Sequence, residues 1–142
     1  MIRKFTFWFW VAIVMQGLTG VFHSLSLFIS PQPANETEIQ MISLMTSYRI
    51  DAGAGFYPTY SGLFTALSSC FTFLCLFAAL MNGFLVRKKL MPDVMRGVVG
   101  INLLIFGALF AVMAYFTFLP PIICTGLIFA NLLAAYLLIP RI

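Results

Sequence analysis

The side chains able to do acid–base chemistry gather around one part of this sequence. His23 lies near the end of a long apolar run, and Glu36, Glu38, Arg49, Asp51, Tyr57 and Tyr60 follow in or beside the one sizeable polar segment, residues 30–59. A histidine near carboxylates can serve as general acid or base near neutral pH, with Glu36, Glu38 or Asp51 orienting it. The plainer reading is that His23 hydrogen-bonds a loop carbonyl or carboxylate and fixes the fold, because one His without a motif meets few criteria for a catalytic site. Arg49 and Asp51 are expected to form an ordinary ion pair that holds the loop. Scattered acids with no H-x-x-x-H or E-x-x-H spacing specify no metal. Ligation of haem by paired histidines is excluded by the single His, and no cofactor is expected.

A second set of polar residues lies inside apolar runs: Gln16, Asn82, Asn102 and Asn131. They can form a polar cavity for the head of a lipophilic small molecule, or act as glue between helices at about 0.6–2 kcal/mol per contact. No Asp, Glu, Lys or Arg lies deep in a run, so the charged relay common in proton-coupled pumps is missing. Ser61, Thr65, Ser68, Thr72, Cys75, Ala79 and Asn82 recur at steps of four and three, a small polar seam on a helix from Tyr60 to Val86. Lipid tails are as apolar as Leu, so such a seam is expected to face protein and make this helix the organiser of the fold. No base shares its depth, so its hydroxyls are read as packing groups rather than nucleophiles. Gln16, His23 and Arg49, with Ser61, Thr65, Ser68, Thr72 and Asn131, are the ligand-binding candidates.

The elements that must position these residues follow from composition. The 142 residues are 62% hydrophobic and 8% charged, too little polar surface for a water-soluble globule of this size. Four runs approach the roughly 20 residues that cross a bilayer: about 5–28, 60–86, 93–118 and 122–139. The first is too long for a signal peptide's apolar region, and Phe5, Phe7, Trp8, Phe9 and Trp10 read as an interfacial aromatic belt. Gln16, Gly20 and His23 form a stripe that suits the seam of the second span. Pro31 and Pro33 stop the first helix. Asn35 with Glu38 three residues later signals a capped helix over about 36–49, whose apolar edge is Ile39, Ile42, Met45 and Tyr48. Asp51, Gly53, Gly55 and Pro58 suggest a flexible link. Pro92 suits a first helical turn. Gly97, Gly100, Gly107, Ala111 and Ala114 make a smooth edge, with Asn102 pointing away from it. Residues 118–121 read as a tight turn, and Gly126, Ala130 and Ala134 share a face of the last span. The fold class is therefore all-α, a single domain of four antiparallel membrane spans with a short amphipathic helix in the first outer loop.

The net charge of +4 does not indicate nucleic acid, because the basic residues flank apolar runs. A cytoplasmic N-terminus puts Arg3, Lys4, Arg87, Lys88, Lys89, Arg96 and Arg141 inside and only Arg49 outside, with both termini cytoplasmic. Cys70, Cys75 and Cys124 offer no C-x-x-C pair, and Cys70 and Cys124 differ by roughly 10 Å in depth, so no disulfide is expected.

The stretch Gly17-Leu18-Thr19-Gly20-Val21-Phe22-His23, the polar outer hairpin and the Ser-rich second helix resemble the DoxX-like group and similar small bacterial membrane proteins. That resemblance implies a four-helix integral protein of the bacterial inner membrane, in families for which most members have no established activity. DoxX itself is associated with redox partners, but without a redox-active cysteine pair that association is carried to no residue here. The leading expectation is a non-enzymatic protein, either an accessory subunit of a membrane protein partner or a binder of a lipid-like molecule. The alternative is a small enzyme acting on a lipophilic substrate with His23 as acid or base. A transporter, dimeric through the Gly97 to Ala114 face, stands third.

Overall fold

The computed structural model describes residues 2–29 and 32–140; Pro31, Arg141 and the side chain of Arg3 lie outside the described residues. Five helices follow in chain order: α1 (Ile2–Ser26), α2 (Glu36–Ser47), α3 (Tyr60–Arg87), α4 (Pro92–Phe116) and α5 (Leu119–Leu138). The described residues form no strand beyond an isolated bridge between Arg49 and Thr59. All of these helices except α2 are long and apolar enough to cross a membrane.

The helix ends follow from local hydrogen bonding. Beyond Ser26 the backbone tightens into three successive i→i+3 bonds, from Leu27, Phe28 and Ile29, so α1 stops short of the expected Phe28. Asn35 caps α2 by accepting from the Glu38 amide at 2.9 Å. The Glu38 carboxylate accepts from the Ala34 amide at 2.7 Å, a capping box displaced by one residue. α2 ends at Ser47 rather than Arg49. Thr59 caps α3 through the Gly62 amide. Pro120 and Pro121 lie in the first turn of α5 rather than in a connecting turn, since proline's missing N–H has no helical partner there anyway.

α1, not α3, is the hub. It packs closely against both α3 and α5, α5 packs against α4, and α3 faces α4 only at longer range. Phe9, Ala12 and Gln16 of α1 are fully buried, whereas Phe73, Phe77 and Leu80 of α3 are exposed. The expected aromatic belt is correspondingly divided: Phe5 and Phe9 belong to the core, and Phe7 and Trp8 remain on the surface.

Glycines set the distances between helices. A Cβ on Gly20 would lie 2.9 Å from the Leu76 side chain, and one on Gly17 would lie 3.7 Å from Ala79, so α1 and α3 run in opposite directions. Between α4 and α5, aromatic rings seat on glycine: Tyr136 on Gly100, Phe129 on Gly107 and Phe110 on Gly126. Phe110 and Phe129 also stack, with centroids 6.0 Å apart. The smooth edges are only partly used. A Cβ on Gly97 would meet nothing within 4 Å, and Ala111, Ala114 and Ala130 are exposed.

Candidate functional site

Three carboxamides from three helices meet inside the bundle. Asn82 of α3 donates to Gln16 Oε1 of α1 at 3.1 Å and to Asn102 Oδ1 of α4 at 2.8 Å. Asn102 donates back to Asn82 Oδ1 at 3.1 Å and to the Val98 carbonyl of its own helix at 2.9 Å. Gln16 Nε2 reaches Asn102 Oδ1 at 3.4 Å. Asn82 and Asn102 also line a cleft of about 230 Å³ between α3 and α4, whose other walls include Leu74, Phe77, Met81, Ile101, Ile105 and Phe106. All four asparagine N–H bonds are taken, three within the cluster and one by the Val98 carbonyl. Of the two asparagine oxygens, Asn102 Oδ1 accepts two bonds and Asn82 Oδ1 one, so the spare acceptor capacity between them lies at Asn82.

The seam of α3 divides at Ser68. Thr72, Cys75 and Asn82 are buried and Ser68 and Ala79 are half-buried, whereas Thr65 is exposed and Ser61 half-buried. Thr65 turns its hydroxyl onto the Ser61 carbonyl of its own helix. Length explains the division: α3, with 28 residues, is roughly 42 Å long and α1, with 25 residues, roughly 37 Å. The Gly17–Ala79 and Gly20–Leu76 register also places the end of α1 beside residues 69–71 of α3, leaving the turns above without that neighbour.

His23 packs edge-on against Phe71 at 4.8 Å between centroids. Its Nε2 and the Thr72 hydroxyl are buried with no hydrogen-bond partner among the described residues. The acids proposed to orient His23 are engaged locally. Glu38 is held in its cap, and Asp51 accepts from the Gly53 amide at 2.9 Å. Glu36 is exposed in the first turn of α2. Arg49 donates to the Tyr57 carbonyl at 3.3 Å instead of pairing with Asp51. Residues 49–59 are a small hairpin rather than a flexible link, closed by Ile50 on Pro58 and Ala52 on Phe56. Gly53, Ala54 and Gly55 turn it with positive φ, a conformation two of the three adopt without strain.

No family model, curated protein or solved structure matches this chain. The functional reading therefore rests on chemistry within the fold. Asn131 stands apart from the amide cluster and bonds the Leu127 carbonyl of its own helix at 2.7 Å. A second groove, of about 450 Å³, runs between α2 and the start of α3 past Gln40, Met41, Leu44, Met45, Tyr48 and Tyr60. Among the described residues no three His, Cys, Asp or Glu side chains are grouped as metal ligands would be. Cys70, Cys75 and Cys124 are free thiols. The meeting of Asn82 with Asn102 escaped the sequence reading, which could place Asn102 only away from the glycine edge. Helical periodicity names a face, and the neighbour on that face is a tertiary fact.

Proposed function

We propose that this chain is a non-enzymatic integral membrane protein whose α3–α4 cleft holds a lipophilic molecule with a neutral hydroxyl or other hydrogen-bond donor as its head. Four antiparallel spans with both termini in the cytoplasm of a bacterium, and α2 lying on the outer surface of the inner membrane, is the arrangement this reading adopts. The distribution of basic residues supports that orientation. The observation that carries the binding function is a pair of asparagines on the wall of an otherwise apolar cleft. Binding sites combine apolar walls with a few convergent polar groups, and this cleft has both. No charged residue lines it, so an ionic head would lose its hydration without gaining a partner. A neutral donor gains the Asn82 carbonyl.

The test is native mass spectrometry of the full chain purified in mild detergent. The wild type should carry an apolar adduct. Ile105→Trp, which fills the cleft from a wall that is 45% exposed, should lose it while the protein stays folded. Equal retention by Ile105→Trp would defeat the proposal. So would an adduct-free wild type whose Ile101→Cys variant crosslinks to a second copy, which would assign the cleft to oligomerisation.

A further inference from the structure

Next to the cleft, at the closed end of the α3–α4 hairpin and with no lining residue in common, a larger cavity of about 710 Å³ opens where α1, the end of α3 and the start of α4 converge. Its walls include Phe5, Trp10, Leu90 and Met95, and its charged members are Arg87 and Lys89. No carboxylate lines it. The one acid of α4, Asp93, lines a separate groove with Arg96. Lys88, which lies between the two cations in sequence, is turned onto the Phe84 ring at 5.2 Å and is absent from the cavity wall.

Two backbone features act in the same direction. Met91 and Pro92 line the cavity where α4 begins, and no side chain caps the first amides of that helix. The positive end of the helix dipole adds to the field of the two cations, offset in part by the Asp93 carboxylate of the same first turn. Lys89 has φ +50. It occupies the left-handed position just past the end of α3, where glycine is the usual residue and any side chain is strained. A strained lysine there adds nothing to the helix end that glycine would not supply, but it puts a cation on the cavity wall.

We propose that this cavity binds an anionic phospholipid, with its phosphate between Arg87, Lys89 and the start of α4 and its upper acyl chains against Phe5, Trp10, Leu90 and Met95. Basic pockets between membrane helices at the interface suit anionic headgroups, and the apolar walls select a lipid over free phosphate. The site is separate from the asparagine cleft, and either can fail without the other.

The test titrates the full chain in detergent with phosphatidylglycerol or phosphatidylcholine and counts retained lipids by native mass spectrometry. One phosphatidylglycerol should be retained preferentially. Arg87→Gln and Lys89→Gly should each weaken retention about five-fold, the effect of losing one interfacial cation. Lys88→Gln should leave retention unchanged. Lys89→Gly should also leave the thermal midpoint unchanged or raise it, which separates a lost site from a lost fold. Equal retention of the two lipids, a Lys88→Gln loss matching that of Arg87→Gln, or displacement by millimolar inorganic phosphate would overturn the proposal.

Discussion

Four side-chain amides lie within the long apolar helices, and their surroundings give them different weights. Asn82 is hydrogen-bonded to two other helices, so Asn82→Leu removes three bonds and leaves Gln16 and Asn102 only the 3.4 Å bond between them across the helices. Unfolding titrations in mixed micelles should show a loss of about 1–3 kcal/mol for that change. Asn131 bonds only to its own helix, and Asn131→Leu should change stability by less than about 0.6 kcal/mol. Equal losses would mean the amide cluster holds nothing together. Both residues read alike in sequence, as lone amides in apolar runs, and only their neighbours separate them. His23 illustrates the same limit. Its type names a chemistry, and only the fold places its ring on Phe71 and the loop acids Glu38 and Asp51 on backbone amides.

At the level of elements, glycine decides which faces meet. Gly20→Ala forces Leu76 and Cys75 away from α1 and should cost about 1–3 kcal/mol. Gly97→Ala meets open space and should stabilise α4 by up to about 1 kcal/mol through helix propensity alone. Thermal unfolding of the two variants, side by side, checks the assignment, and a reversed order would refute it. The existence and approximate limits of all five helices were legible in the sequence, because apolar runs, the Asn35–Glu38 cap and the Pro92 start are local signals. The depth of burial along α3 was not. Its seam is periodic over the whole helix, but α1 covers only the half beyond Ser68.

For the whole molecule, the decisive feature is an open arc. Helices α3, α1, α5 and α4 pack in that order, and side-chain amides, rather than close backbone packing, join its two ends across the cleft. The same arc, placed in a bilayer as proposed, puts Glu38 and Lys88 on opposite sides. Substituted cysteines at these two positions, labelled in intact cells with an impermeant maleimide, should react at residue 38 and stay protected at residue 88. Labelling of both to the same extent would refute the orientation.

What the sequence determined unaided is the set of rods. Apolar length, caps and flanking charge act within a few residues and do not depend on what lies across the fold. Which rod sits at the centre, which glycines receive a ring and which asparagines meet were decided only by tertiary structure. In a bilayer nearly every side chain is equally free of water, so hydrophobicity ceases to distinguish inside from outside, and the choice passes to fit between surfaces.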